Sequence, residues 1–303
     1  MLHVVAGGAG YIGGHLVDRL VEMGEDVVVL DDMSSGKYVR SGVKYIKVDL
    51  RSRIDLEIEK GFILYNLVAN PDVRTSMYNV EEHFDRDVKT ALNLMEFSLR
   101  KETSKVIFTS SSTVYGETEK LPTPEEHGLT PISNYGLFKV MGEQVCEFYS
   151  RNYSIPTLVL RLANIIGGRT SHGVVVDFIS KLRTNPSILE ILGDGRQRKS
   201  YLYVQDLVEA IMTLSSSMSH SFEIFNVGNV DWVTVEEIAR IVEEEMGLSP
   251  THVYTNKFGG RGWLGDVRTM LLDISKANKR GWRPSMGSAE AVRRAVKDLL
   301  NAP

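Results

Sequence analysis

The 303-residue chain contains a single cysteine, Cys146, which excludes an intramolecular disulfide and any multi-cysteine metal site. Its seven histidines are scattered, and the His-Glu-x-x-His spacing of zinc enzymes does not occur. No apolar run approaches the length of a membrane span, and the N-terminus lacks the basic segment of a signal peptide. A net charge of −4 gives no general reason to bind nucleic acid or anionic membrane. We therefore expect a cytoplasmic protein without a metal, nucleic-acid or membrane partner.

The first half of the chain alternates short apolar runs with segments of helical period, which is typical of a parallel sheet covered by helices on both faces. Hydrophobic residues at 43% and charged residues at 24% are ordinary for a globular protein, and the length fits two domains or one large α/β unit. The expected strands are Leu2–Ala6, Asp26–Leu30, Val43–Val48, Phe62–Val68, Lys105–Thr109 and Thr157–Leu162. The expected helices are Gly13–Met23, Val80–Lys101 and Asn134–Arg151.

The pattern changes beyond Asn164, where glycine pairs interrupt shorter elements. This shift predicts a first domain over 1–165 and a second over 166–303, with segments near 196–228 rejoining the first. In the second part, Thr234 and Glu237 have the spacing of a capping box, which predicts a helix from there to about Met246. A last amphipathic helix is expected over Ala289–Leu300.

A glycine-rich segment, Gly7 to Gly13, follows the first expected strand and opens the first expected helix. In that context the early glycines let the backbone approach a pyrophosphate, and the helix N-terminus supplies N–H groups and a positive dipole. The alternative is an ordinary strand-turn-helix with incidental glycines. We favour a dinucleotide site because Asp31 ends the second strand about 20 residues after the loop.

A carboxylate at Asp31 accepts hydrogen bonds from the adenosine 2′-hydroxyl and repels a 2′-phosphate, which favours NAD over NADP. Lys37 and Arg40 are nearby cations that argue the other way. Asp49, at the end of the third strand, is expected either to meet the adenine or simply to cap its own loop.

A candidate acid–base group combines a serine run, Ser110 to Ser112, after the fifth strand with Tyr135 and Lys139 at the start of a long helix. Residues i and i+4 share a helix face, so the ammonium lies near the phenol. A tyrosine pKa of about 10 is too high for a base at neutral pH, and a neighbouring cation lowers it. On its own, a tyrosine and lysine four residues apart on a helix are more often a surface pair, and a serine run after a strand is more often a turn. Their combination with a nucleotide loop is far less common by chance.

These motifs, taken together, resemble the extended short-chain dehydrogenase/reductase family, specifically its NAD-dependent nucleotide-sugar epimerases and dehydratases. The resemblance covers essentially the whole chain, and within the family the sequence looks most like UDP-galactose 4-epimerases. It implies a Rossmann-type doubly wound parallel sheet with a smaller α/β substrate-binding domain at the C-terminus. Further matching segments are Val48–Arg51, Asn70–Arg74, Leu160–Asn164, Gly193–Gly195, Tyr203–Leu207, Phe225–Gly228, Gly265–Val267 and Asp273–Ala277.

The resemblance assigns roles to residues by position in these motifs. The implied catalytic residues are Ser111, Tyr135 as the base, and Lys139, which lowers the pKa of the tyrosine and contacts the ribose. Tyr135 and Lys139 also contact NAD, together with Gly7, Gly10, Tyr11, Ile12, Asp31, Asp32, Ser34, Ser35, Gly36, Asp49, Leu50, Leu67, Val68, Ala69 and Asp87. The implied residues for the UDP-sugar are Ser111, Asn164, Val174, Leu192, Lys199, Arg261, Asp266 and Met270.

The residues before Val114 bear on the type of reaction. Family members that dehydrate or decarboxylate the sugar usually carry a carboxyl group there, whereas this chain has Ser112-Thr113. The resemblance therefore implies interconversion of UDP-glucose and UDP-galactose through a transient 4-keto sugar. The alternatives are another nucleotide-sugar enzyme of the family, such as a UDP-N-acetylhexosamine or UDP-uronate 4-epimerase, a dehydratase or a reductase, and a non-catalytic NAD-binding protein.

Several positions depart from the family pattern. Lys199 and Trp263 stand where arginines are usual, with Arg198 and Arg261 as the nearest alternatives. In addition, Asp87 replaces a usual asparagine, Asp32 stands where asparagine is frequent, and Val68 is bulkier than the usual residue.

Met270 occupies the position that helps to size the sugar pocket, and its intermediate size leaves open whether N-acetyl sugars enter. The resemblance also implies a homodimer formed through the helices at Val80–Lys101 and Asn134–Arg151, whose apolar residues are equally suited to the internal core.

Overall fold

The structure is a computed structural model that describes residues 1–36, 38–70 and 72–302. Its strands are Leu2–Ala6 (β1), Asp26–Asp31 (β2), Lys44–Lys47 (β3), Ile63–Asn66 (β4), Lys105–Ser111 (β5), Thr157–Leu162 (β6), Asn164–Ile166 (β7), Ile188–Leu192 (β8), Arg198–Lys199 (β9), Tyr201–Tyr203 (β10), Phe222–Val227 (β11), Val233–Thr234 (β12), Thr251–Thr255 (β13) and Thr269–Met270 (β14).

The α-helices are Tyr11–Glu22 (α1), Val80–Phe84 (α2), Thr90–Arg100 (α3), Asn134–Tyr153 (α4), Val174–Thr184 (α5), Val204–Ser216 (α6), Val235–Met246 (α7), Ser275–Lys279 (α8) and Ser288–Leu300 (α9). Two 3₁₀ turns, Thr75–Met77 and Ser112–Tyr115, and a π-helical turn, Asp85–Lys89, complete the helical segments. None of the helices in the described ranges is long and apolar enough to cross a bilayer.

The central sheet has seven strands in the order β11-β6-β5-β4-β1-β2-β3, and every neighbouring pair is parallel. The chain leaves β1 toward β3 on one side and then returns to build β4, β5 and β6 on the other. The strand order thus reverses between β1 and β4, which opens a crevice at the carboxyl ends of those strands. The predicted Rossmann-type doubly wound parallel sheet is confirmed.

Alternate residues of each strand face opposite sides of the sheet, and each side has its own core. Val5 packs on one face in a cluster with Leu16 of α1 and Leu207 of α6. Val4 packs on the other face, in a cluster with Leu94 of α3. All five side chains are fully buried, and each such burial contributes roughly 1.5–3 kcal/mol of transfer free energy.

The C-terminal part of the chain adds a further apolar cluster that contains Phe178 of α5, Leu189 of β8, Val242 of α7 and Val292 of α9. The predicted capping box is present, since the Thr234 hydroxyl accepts from the Glu237 N–H at 3.1 Å and the Glu237 carboxylate accepts from the Thr234 N–H. Strand β11 lies at the edge of the seven-stranded sheet although it follows α5 and α6 in sequence. The domain division near residue 165 stays a prediction.

Most of the expected elements differ from the observed ones by one or two residues at their ends, and two of the differences affect the site. The helix predicted over Val80–Lys101 is interrupted by the π-helical turn, which turns Asp87 into the interior. The strand predicted over Phe62–Val68 spans Ile63–Asn66, and the backbone of Leu67 and Val68 beyond it passes directly beside Gly7.

Candidate active site

The turn after β1 is built for close approach of a ligand to the backbone. Gly7 has a φ of +81°, which side-chain-bearing residues rarely adopt, and a Cβ on Gly13 would overlap the Gly7 carbonyl oxygen. Helix α1 begins at Tyr11 with Gly10 as its N-cap, and within the described residues no side chain caps it. The first N–H groups of α1 are therefore left for an anion such as a pyrophosphate.

A cleft runs along the carboxyl ends of β1, β2, β3 and β4. Most of the residues that the sequence assigns to the cofactor line it: Gly7, Gly10, Asp31, Asp32, Ser35, Gly36, Asp49, Leu50, Leu67, Val68 and Ala69. Asp31 accepts hydrogen bonds from the N–H groups of Ala9 at 3.0 Å and Met33 at 2.8 Å. Burial raises its pKa, and these two N–H groups oppose the shift. The glycine turn, the free helix N-terminus and the acidic end of β2 fit the pyrophosphate and adenosine ribose of a dinucleotide.

The side chains of Tyr11 and Ile12 lie outside this lining. Ile12 packs against the core, and the Tyr11 ring meets the His15 ring edge-on at 5.6 Å. These two residues can contribute backbone N–H groups at the start of α1, but their side chains belong to the packing around it. Of the two cations considered near Asp31, Arg40 pairs instead with Asp18 at 3.2 Å, and Lys37 lies outside the described residues.

Four further residues line the cleft that the sequence did not assign to it: Val48, Arg51, Arg86 and Thr90. Arg51 holds Asp49 through two hydrogen bonds of 2.9 and 2.8 Å. Arg86 donates to the Ser34 hydroxyl at 3.1 Å and lies 3.6 Å from Asp32. Arg51 is the last residue of the matching segment Val48–Arg51, whereas no local pattern signals that Arg86 reaches the end of β2.

Ser111, Tyr135 and Lys139 come together at the carboxyl end of β5. Ser111 is the last residue of β5, and its hydroxyl accepts hydrogen bonds from the Thr113 N–H and hydroxyl at 3.2 and 3.0 Å. The Ser133 hydroxyl caps α4 by accepting from the Gly136 N–H at 3.1 Å, which fixes Tyr135 in the first turn. Lys139 Nζ lies 5.6 Å from the centre of the Tyr135 ring.

The groups around Tyr135 have opposing effects on the pKa of its phenol. Burial raises the pKa of the phenol, Lys139 and the Ser111 hydroxyl lower it, and Asp87 raises it again. Burial lowers the pKa of Lys139, but Asp87 and Tyr135 raise it by more, so the ammonium stays charged. Without a further positive charge in the cleft, Tyr135 therefore holds its proton at neutral pH.

Asp87 is nearly inaccessible to solvent and lies in the π-helical turn beside α4. Its Oδ1 is 3.1 Å from Lys139 Nζ, so the sequence-assigned cofactor residue also forms a buried ion pair with the lysine of the Tyr-Lys pair. Burial raises the pKa of this carboxyl, and the Lys139 ammonium opposes that shift.

Some of the residues assigned to the sugar nucleotide lie in or beside the short strand β9. Lys199 is ion-paired with the buried Asp266, and its Nζ lies 5.4 Å from the centre of the Trp263 ring. Successive side chains of a strand point to opposite faces, and Arg198 accordingly stacks on Trp232 at 4.3 Å. Of these two cations, only Lys199 is directed toward the Trp263–Asp266 loop.

That loop adjoins the start of α4. A Cβ on Gly265 would lie 3.0 Å from the Ile132 carbonyl oxygen and 3.6 Å from the Met77 sulfur. The Tyr135 N–H in turn donates to the Ser76 hydroxyl at 3.2 Å. The loop therefore lies near Tyr135 as well as near Lys199.

The other assigned residues are spread around the same region. Leu192 lines a second pocket with Arg74, Tyr78, Glu190, Thr255, Lys257, Phe258, Gly262 and Trp263. Asn164 begins β7, and Val174 begins α5 behind Gly173. Met270 is buried in the core and pairs in register with Lys199. Arg261 forms an ion pair with Glu117.

No group of metal-ligating residues occurs in the part of the chain that the structure describes.

The chain is similar in sequence and in fold to known proteins of one family. The model of the NAD dependent epimerase/dehydratase family matches residues 3–228. A protein of Methanocaldococcus jannaschii, named provisionally as a UDP-glucose 4-epimerase, is 32% identical over 98% of each chain. A crystal structure of a UDP-galactose 4-epimerase is 43% identical over 98% of each chain, with a TM-score of 0.89. The UDP-glucose 4-epimerase of Thermus thermophilus in complex with NAD is 29% identical over 100% of each chain, with a TM-score of 0.87.

Proposed function

Because the chain belongs to the NAD dependent epimerase/dehydratase family, we propose that it interconverts UDP-glucose and UDP-galactose by inverting the sugar at C4. NAD is its cofactor. The proposal combines the Ser111, Tyr135 and Lys139 group with the similarity of the chain to UDP-glucose and UDP-galactose 4-epimerases. An isomerase is favoured over the other activities of the family by the residues beside Ser111.

The observation that supports epimerisation is the position of the carboxyl groups around the catalytic helix. Thr113 donates its hydroxyl hydrogen bond to Ser111, at a place where elimination or decarboxylation would need an acid. Two of the carboxylates that follow in sequence have other partners: Glu117 pairs with Arg261, and Glu125 accepts from the Asn226 N–H. A hydroxyl beside Ser111 suits a reaction whose only proton transfer is at the O4 atom of the sugar.

In the proposed reaction, Tyr135 removes the proton from O4, and the Ser111 hydroxyl hydrogen-bonds that oxygen. Bound NAD supplies the hydride acceptor and donor for C4. Lys139 stabilises the phenolate, and general acid–base catalysis of this kind contributes on the order of 10²–10⁴-fold. Tyr135 then returns the proton after the 4-keto sugar has turned its other face, so that one group serves both steps. In this proposal Lys199 holds the diphosphate while the sugar turns.

The experiment is to incubate the purified protein with UDP-galactose, without added cofactor, and to follow the sugar by proton NMR. Formation of UDP-glucose to equilibrium is expected, because NAD is regenerated in each turnover and stays bound. Tyr135→Phe should lower the rate by at least about 10²-fold. Tyr153→Phe, at the exposed end of the same helix, is the matched control and should retain full activity.

The outcomes separate the alternatives. Failure to convert UDP-galactose, even with added NAD, would contradict the proposal and direct the assay to UDP-N-acetylhexosamines and UDP-uronates. Release of a 4-keto-6-deoxy sugar would indicate a dehydratase, and stoichiometric consumption of reduced cofactor would indicate a reductase. Binding of NAD without any turnover would indicate a non-catalytic protein.

A further inference from the structure

A buried negative charge lies against the lysine of the Tyr-Lys pair. The side chains of Lys139 and Asp87 are 2% and 1% exposed, and their charged atoms are 3.1 Å apart. A charge in such a place loses its hydration at a large free-energy cost unless a partner offsets it. A neutral asparagine would fill the same space without that cost, so the charge of Asp87 calls for an explanation beyond packing.

The backbone around Asp87 is distorted at this point. Asp85–Lys89 forms a π-helical turn between the regular helices α2 and α3. Single π-turns of this kind are rare and occur often at functional sites. Here the turn directs Asp87 inward to Lys139, whereas its neighbour Arg86 extends to Ser34 at the far side of the cleft.

We propose that Asp87 is a positioning residue of the active site: its carboxylate fixes the Lys139 ammonium beside Tyr135 and balances its charge. The phenol then holds its proton more tightly than a Tyr-Lys pair alone would allow. This inference rests on the proposed role of Tyr135 as the base, and it adds a third charged group that sets the pH range in which that base works.

Charge balance gives the direction of the effect. With Asp87 and Lys139 both charged, ionisation of Tyr135 leaves a buried net negative charge. With asparagine at position 87, the same ionisation produces a neutral ammonium-phenolate pair, which is favoured in a medium of low polarity. The charge on Asp87 therefore raises the pKa of Tyr135.

The other titratable groups near the pair are neutral at pH 7 or have partners of their own. Burial lowers the pKa of His83, which lies one turn before Asp87, and raises that of the Cys146 thiol on α4. Glu143, beside Cys146, is held by Arg161 at 2.7 Å. The titration of Tyr135 is thus governed by Lys139 and Asp87 together with the Ser111 hydroxyl.

The test compares the ionisation of one phenol in two backgrounds by near-ultraviolet tyrosinate absorbance. Subtracting the titration of Tyr135→Phe from that of the unmodified protein isolates the Tyr135 phenol. The same subtraction is then made for a second pair of proteins, in which both also carry Asp87→Asn. We expect Asp87→Asn to lower the pH of half-ionisation by at least about one unit, which is a tenfold change in the equilibrium. An unchanged or higher value would overturn the proposal.

The matched control is Asp85→Asn in the same π-turn, where Asp85 pairs with Lys89 at 3.3 Å on the surface. This variant should leave the Tyr135 titration unchanged, and an equal shift would overturn the proposal. Asp87→Ser makes the same change of charge if Asp87→Asn does not fold. The titration requires no turnover, so it remains decisive even if the protein proves not to be an epimerase.

A second readout is the pH dependence of kcat/KM, provided that the protein has epimerase activity. Asp87→Asn should move the acidic limb to lower pH by the same amount as the phenol titration. A purely structural role predicts instead a uniform loss of activity with the limb unmoved, and that result would contradict the proposal.

Discussion

The buried ion pair between Glu143 of α4 and Arg161 of β6 offers a quantitative test of how the active-site edge is held together. Their side chains are 5% and 4% exposed, and the carboxylate accepts from Arg161 Nε at 3.0 Å and from Nη2 at 2.7 Å. Ser110 donates to the same carboxylate, immediately before Ser111. Arg161 also donates to the Tyr115 hydroxyl at 2.9 Å, so the pair ties the ends of β5 and β6 to α4.

Glu143→Ala would leave the Arg161 guanidinium buried without its counter-charge. Breaking one side of a buried pair costs about 3–5 kcal/mol, because the remaining charge keeps its desolvation penalty. For chains somewhat shorter than this one, each kcal/mol of lost stability lowers the melting temperature by about 2–4 °C. The melting temperature of Glu143→Ala should therefore fall by on the order of 10 °C. Glu143→Gln keeps the shape and part of the hydrogen bonding, so its loss should be smaller.

The assay is thermal unfolding followed by circular dichroism at saturating NAD. Glu147→Ala is the matched control, because Glu147 lies one turn further along α4 and forms an exposed pair with Arg151 at 2.6 Å. Pairs of that kind contribute only about 0.3–0.5 kcal/mol. If Glu143→Ala and Glu147→Ala lower the melting temperature equally, the attribution of stability to the buried network is wrong.

Other predictions concern the two binding regions and the surface. Arg86→Ala should weaken NAD binding several-fold in calorimetry, since Arg86 orders the loop after β2; unchanged affinity would exclude that role. Lys199→Met should raise KM for the UDP-sugar about tenfold, whereas Arg198→Met, which changes a side chain stacked away from the site, should not. If the protein is a homodimer through α3 and α4, Leu92→Glu and Phe148→Glu, at exposed apolar positions, should each yield monomers in sedimentation.

Much of the fold was predictable because its signals are local. Alternating apolar runs and helical periods predicted the parallel sheet, and the Thr234-Glu237 spacing predicted a helix start that is confirmed by both hydrogen bonds of the capping box. The association of Ser111, Tyr135 and Lys139 was also predictable. Each lies where a strand ends or a helix begins, and parallel strands bring those points to one edge of the sheet.

Features that depend on contacts distant in sequence were not predictable in the same way. The periodicity of residues 80–101 indicates one continuous helix, and nothing within it signals the π-turn. The distortion accompanies an ion pair between Asp87 and Lys139, 3.1 Å apart, and a contact of Arg86 with Ser34 at 3.1 Å. Tertiary contacts of this strength override local helical preference, and their partners belong to other elements of the fold.

Two departures from the family pattern that look independent in the sequence lie next to each other in the structure. Lys199 and Trp263 both stand where arginines are usual, and the structure brings the ammonium to 5.4 Å from the indole ring. An arginine at 263 would face a second cation there, whereas the electron-rich face of a tryptophan attracts the lysine. The single Asp266 carboxylate then suffices to balance one cation rather than two. The two changes thus act as one, and they make Lys199 the residue for which we propose the contact with the diphosphate.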